Sequence, residues 1–236
     1  MKPDPLVLAF DCAGNACAVA LCRGQAVLGQ SRLHTERGHA GLLVPAIDTI
    51  IAQAGLTPAA IDLIAVTTGP GSFTGIRIGL ATARGLALAL ARPLCGIDCF
   101  AALLASLDGS EIGDRQVLVA IDSRRDELFF ADGMGANRRI ARAADFVAAL
   151  APGRYLALGD AAPMIVAAAS ARGDIDLVPA RSAQAVDPVA LARHAEALGI
   201  EHWREDNARN GLARPLYLRP PDVTLADAAG KNAERP

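Results

Sequence analysis

Two aspartates, one glycine-rich loop and four histidines are the residues whose types and spacing bear on chemistry. Asp11 and Asp122 each end a short apolar run, VLAFD and LVAID. A carboxylate at the tip of a buried strand can hold a hydrated magnesium ion or orient a water beside a nucleotide. It can equally close a turn by accepting local N–H bonds. The loop GPGSFTGIRIG, residues 69–79, follows the apolar run 63–67 and opens a helical pattern. Gly69, Gly71, Ser72, Thr74 and Gly75 predict a tight strand-to-helix turn whose free N–H groups suit an anion. The loop lacks the Lys-Ser/Thr ending of a P-loop, so its phosphate specificity is weak. Two ligands on one helical face need a spacing of three or four, but His34 and His39 are five apart and His194 and His202 eight apart. Leu43 stands four residues beyond His39. No catalytic residue and no metal are expected.

Past the loop, Gly75, Gly79, Ala83, Ala87 and Ala91 fall every fourth residue and make a ridge of small side chains. Glycine inside a helix costs about 1 kcal/mol relative to alanine, so a close-packed neighbour must offset it. Ile76, Ile78, Leu80, Leu86, Leu88 and Leu90 lie off the ridge, which makes the helix apolar all round and predicts burial on two sides. The helical pattern over 39–54 adds the stripe Leu42, Leu43, Ala46, Ile47 and Ile50. Together the two helices read as a protein interface. The alternative is that the ridge packs on the chain's own sheet.

The whole chain sets the frame for these groups. At 236 residues it can form one large domain or two smaller ones, and 52% hydrophobic with 20% charged residues makes it globular. A net charge of −2 gives no general attraction for a polyanion, so any nucleic-acid contact needs a local patch or a partner. Arg124, Arg125, Arg138, Arg139 and Arg142 form a loose group that could meet phosphate or carboxylate, or simply be solvated. Five cysteines without a CxxC pair fit small buried hydrophobes in a reducing cytoplasm. The N-terminus does not read as a signal peptide, and no apolar stretch predicts a membrane span.

Along the chain, strands are expected at 6–10, 16–21 and 26–33 as a meander, followed by the helix 39–54 with Pro45 kinking it or marking its regular start. Gly55 reads as its stop, and Thr57-Pro58 as the cap of a further short turn. After the strand 63–67 and the long helix ending by Arg92, a strand at 94–97, a helix at 100–107 and a linker at 108–115 are expected. The second half then repeats the opening, with strands at 118–122 and 127–131. It continues as helix 143–150, strand 155–158, helix 163–171, strand 177–179 and helix 188–198. The division is thus 1–107, 115–219 and a polar tail at 222–236 expected to be disordered.

The stretches LAFDCAGNACAVAL, ERGHAGLLVPAIDTII, VTTGPGSFTGIRIGLATARGLALALARPLCGI, AIDSRRDELFF and PLYLR are similar to those of the TsaB (YeaZ) family over most of 6–219, most densely over 63–97. The resemblance implies an α/β, duplicated actin-like or sugar-kinase-like (ASKHA) fold of two βββαβα-type halves. It implies a non-catalytic accessory subunit that pairs with the threonylcarbamoyl transferase TsaD in a complex that includes the ATPase TsaE. That complex modifies the adenine beside the anticodon of tRNA. The faces over 39–54 and 74–91 match those the resemblance assigns to homodimer formation and to the partner. TsaD's metal site uses two histidines four apart, and Leu43 replaces the second here. No cofactor is implied beyond ATP or ADP at the interface of the complex. On the residues alone, an ATP-dependent kinase or ATPase using Asp11 and Asp122 stays open as an alternative, and a glycoprotease-like (M22) metallopeptidase as a third.

Overall fold

The computed structural model describes residues 4–35 and 39–219; the expected tail at 222–236 lies outside them. The first sheet begins with β1 (Leu6–Asp11), β2 (Ala16–Arg23) and β3 (Ala26–His34), an antiparallel meander in which Leu6 faces Arg23 and Ala16 faces His34. β4 (Leu63–Thr67) adds parallel to β1, and β5 (Leu94–Ile97) parallel to β4, for the order β3-β2-β1-β4-β5. β1 and β4 are continuous apolar runs because both faces are covered, whereas β3 is a largely exposed edge.

The second sheet repeats this plan. β6 (Gln116–Asp122), β7 (Leu128–Asp132) and β8 (Arg139–Ala141) form the meander, and β9 (Gly153–Leu158) and β10 (Ile175–Pro179) add in parallel, for the order β8-β7-β6-β9-β10. Two sheets of the same strand order, each with its crossover helices, make this a duplicated actin-like fold.

Helix α1 (His39–Gln53) buries Leu43, Ala46, Ile47, Ile50 and Ile51 against β2 and β3, each worth roughly 1–3 kcal/mol. Pro45 lies inside α1 rather than at its start. Pro45 and Gly41 are both exposed, so water can bond the carbonyl that lacks its usual donor. Gly55, at φ +67°, ends the helix as expected, with Leu56 N–H returning to the Ile51 carbonyl. Helix α2 (Phe73–Leu90) is capped by Ser72 and ends at Ala91 in the left-handed conformation before Pro93. By length and composition α2 could cross a membrane; Ala83 and Ala87 pack instead on the chain's own sheet, and Arg77 and Arg84 interrupt its other faces.

Helix α3 (Cys99–Ala105) is capped by Asp98, and the second sheet carries α4 (Ala143–Ala148) and α5 (Ala162–Ala169). The expected linker contains one 3-10 turn, Gly109–Glu111, capped by Asp108. The turn Pro58–Ala60 forms as expected, but Thr57 makes no side-chain cap. α6 (Pro188–Ala197), capped by Asp187, returns to cover the other face of β1 and β2. α7 (Ile200–Asn210), which the sequence pattern does not predict, follows it and rests on β5. Its sequence is polar all round and only Trp203 is buried, so it shows no apolar stripe. Residues 212–219 then run back across the first sheet's end, with Leu216 N–H donating to the Thr68 carbonyl at 2.8 Å.

Candidate functional site

The glycine loop is pressed against the turn that follows β1. Ser72 N–H donates to the Ala13 carbonyl at 2.7 Å, and a Cβ on Gly71 would stand 2.3 Å from that same oxygen. A Cβ on Gly75 would stand 1.9 Å from the Cys12 carbonyl oxygen, closer than any side chain can approach. The loop's glycines are therefore required by its own chain. The Ser72 hydroxyl is used in accepting the Gly75 N–H, the Gly69 carbonyl accepts from Cys99 N–H at 2.7 Å, and Thr74 is exposed in the first turn of α2.

Asp11 lies beneath this loop, 3% exposed. Its carboxylate accepts from the Thr67 hydroxyl at 2.5 Å and from Ala13 N–H at 2.9 Å. Burial pushes its pKa above 3.8, against those two bonds and the nearby Arg32. Asp122 closes a local turn instead: it accepts Arg124 N–H at 2.7 Å, and its own N–H donates to Asp160 at 2.9 Å. The second-half carboxylate that lines the cleft with Asp11 is Asp160, just beyond β9, whose pKa burial also raises. The sequence signal that could have found it is Gly159-Asp160 directly after a strand, the position in the second half that matches the glycine loop of the first.

The cleft between Asp11, Asn15, Arg32, Cys99, Asp160 and Gln184 leaves about 30 Å³ free, roughly room for one water. Small-molecule sites occupy about 300–1,000 Å³. Among the described residues no group of three or more His, Cys, Asp or Glu side chains is placed to hold a metal ion. The five cysteines are free and buried.

The two helices expected to meet a partner lie side by side, and the side chains expected to make the contact turn into the chain's own interior. Leu43, Ala46, Ile47 and Ile50 are buried in the chain's own core, and Leu42 is half-buried beside them. Gly75 is seated on Cys12, Gly79 on Val66 and Cys12, and Ala83 and Ala87 are buried against the sheet. A row at intervals of four shows that a helix face is closely packed without saying against what, and here the sheet is the neighbour. The outward row lies two residues on: Arg77, Ala81, Gly85 and Ala89, all exposed, with Phe73 and Leu88 beside it. Leu88 is 81% exposed and Val44, on the outer face of α1, 48%. Among the described residues, nothing outside the backbone of α2 lies within 4 Å of a Cβ placed on Gly85. Apolar and small side chains on two adjoining helices thus form one face that no other described residue covers.

A twice-built actin-like fold with a filled central cleft and a bare helical face is the class these features define. The family described as "TsaD: tRNA N6-adenosine threonylcarbamoyltransferase" matches residues 28–195. An uncharacterized protein of Mycobacterium tuberculosis is 32% identical over 92% of this chain and 93% of its own. The "tRNA threonylcarbamoyladenosine biosynthesis protein TsaB" of Escherichia coli is 36% identical over 53% of this chain and 54% of its own. The solved structure "YeaZ from Pseudomonas aeruginosa" superposes with a TM-score of 0.69 at 26% identity, covering 91% of this chain and all 100% of that one. The chain belongs to this family, on its TsaB (YeaZ) branch.

Proposed function

We propose that this chain is the non-catalytic accessory subunit of the complex that forms threonylcarbamoyladenosine in tRNA, and that it binds and activates the transferase TsaD through the outer face of α1 and α2. The observation that carries this is Gly85. A mid-helix glycine costs about 1 kcal/mol, and among the described residues nothing outside the helix approaches closely enough to offset it. A second helix lying along Ala81, Gly85 and Ala89, flanked by Leu88 and Val44, would. The same face serves a homodimer when the partner is absent. TsaE joins the complex, ATP or ADP sits at its interface, and the assembly works in the cytoplasm. The filled cleft speaks against the kinase or ATPase reading of Asp11, since about 30 Å³ does not admit a nucleotide.

Mixing this chain with TsaD and following both by gel filtration tests the reading. Ala81→Trp and Leu88→Arg, both on exposed positions, are expected to leave the chain folded and to abolish co-elution. The same variants should remove tRNA threonylcarbamoylation in a reconstituted reaction. Co-elution unchanged in both variants would overturn the interface, and modification that proceeds at full rate without this chain would overturn the function.

A further inference from the structure

The loose arginine group of the sequence separates in the structure. Arg124 bridges Asp122 and Asp160, Arg138 pairs with Asp98 at 2.7 Å, and Arg139 lies over the Phe146 ring. Arg125 and Arg142 also line two adjoining grooves, together with Arg77 and Arg219, far away in sequence. The first, of about 400 Å³, has an apolar floor that includes Ile76, Phe129 and Leu218, with Phe73, Tyr217 and Arg77 at its side. The second, of about 440 Å³, lies between Arg125, Arg142, Arg219, Asp126 and Glu127. Arg125 and Arg219 line both, so the grooves form one track. Among the described residues that line it are four arginines and two carboxylates, and Glu127 is already paired with Arg219. This local excess sits on a chain whose net charge is −2.

Two exposed aromatic rings stand at the first groove. Phe73 and Tyr217 lie 5.5 Å apart, and the Arg77 guanidinium is 3.6 Å from the Phe73 ring centre while its Nε donates to the Tyr217 hydroxyl. Rings and a guanidinium plane beside an apolar floor suit a planar base, and arginines spaced along a track suit successive phosphates. Each groove is large enough for one nucleotide, and their continuity favours a strand over a mononucleotide. An acidic peptide would use the arginines but leave the rings without a role.

We infer that this track binds a single-stranded RNA segment, with a base against Phe73 and Tyr217 and phosphates on Arg125, Arg142 and Arg219. The inference rests on the reading of the chain as part of an RNA-modifying complex and names a surface by which it would hold that RNA.

The test is the fluorescence anisotropy of a 5′-fluorescein 12-nucleotide RNA titrated with the full chain alone, without the transferase. Saturable binding is expected at 50 mM salt, weakening with salt at a slope of about −2 to −3 in log K against log salt for three or four phosphates. Arg125→Glu with Arg142→Glu should weaken it at least tenfold and Tyr217→Ala about fivefold or more. Arg209→Glu, on α7 outside both grooves, should leave it unchanged. If the double variant unfolds by circular dichroism, Arg142→Gln alone is expected to weaken binding about threefold. No binding, equal binding of duplex RNA, equal loss in Arg209→Glu, or displacement by AMP or a ten-residue polyglutamate as effective as by unlabelled RNA would each overturn the inference. Because TsaD is absent, a failed complex with intact RNA binding removes the proposed function and spares the groove, and the reverse removes the groove alone.

Discussion

Asp11 shows how one residue can be legible in position and misleading in chemistry. A carboxylate ending an apolar strand was readable, but the 2.5 Å bond from Thr67 and the near-complete burial depend on contacts 56 residues away in sequence. The match of VLAFD with LVAID points to Asp122 as its partner across the cleft, whereas the lining carboxylate is Asp160, set by the sheet order and not by that motif. Burial raises the Asp11 pKa, so the folded chain holds that proton more tightly than the unfolded chain does. The associated stability is fully present below the unfolded value near 3.8 and is lost as pH rises through the folded value. Asp11→Asn keeps an acceptor for the Ala13 N–H and removes the titration. Its melting temperature is expected to exceed the wild type's by a few degrees at pH 8, at about 2–4 °C per kcal/mol, with the gap closing toward pH 4. Carboxylates such as Asp114, whose pKa the neighbouring Arg154 lowers, and Asp176, whose pKa Arg115 and then Arg154 lower, act in the opposite sense but equally in both proteins, so they cancel in the difference. A gap that widens toward low pH would refute the assignment.

At the scale of the element, α2 carries three glycines whose environments differ, and the sequence could not rank them. Spacing gave the row Gly75, Gly79, Ala83, Ala87 and the correct inference that something packs against it; the direction of that face depends on where the sheet lies. Gly75→Ala drives a methyl to 1.9 Å from the Cys12 carbonyl and should lower the melting temperature by more than about 10 °C or leave the chain insoluble. Gly79→Ala meets Val66 at 3.5 Å, an ordinary contact, and should be neutral to mildly stabilising. Gly85→Ala enters open space and should stabilise the isolated chain by up to about 1 kcal/mol. Thermal melts of the three single variants check the order, and a Gly85 variant as damaging as the Gly75 one would show that the outer face is packed within the chain. β8 and α7 were missed for different reasons: three residues are too few for a period, and α7 buries one side chain. The meander, the parallel strands and the long helices were legible because continuous apolar runs and three-four spacing are local properties.

For the whole molecule, the duplication was visible in two five-residue strings, but the way the chain closes on itself was not. The second sheet has a separate core that includes Phe130 and Phe146, stacked at 3.7 Å, with Ile165 and Leu177. The first sheet is completed only by residues far along the sequence. α6 buries Val189, Leu191, Ala192 and Ala195 on β1 and β2, and Asn207 makes two hydrogen bonds to the Leu94 backbone, at 2.7 and 2.9 Å. Arg84 reaches the Ala213 carbonyl, and Leu216 the Thr68 carbonyl. A fragment ending at residue 115 would therefore expose the apolar face that α6 covers, at roughly 1.5–3 kcal/mol for each large side chain laid bare. Such a face is expected to drive aggregation. Residues 1–115 produced alone should be insoluble, and co-production with 116–219 should return both to solution as a one-to-one species by gel filtration. A soluble, cooperatively melting 1–115 fragment would mean that α6 packs on the first sheet without completing it, and that the two sheets fold as independent units.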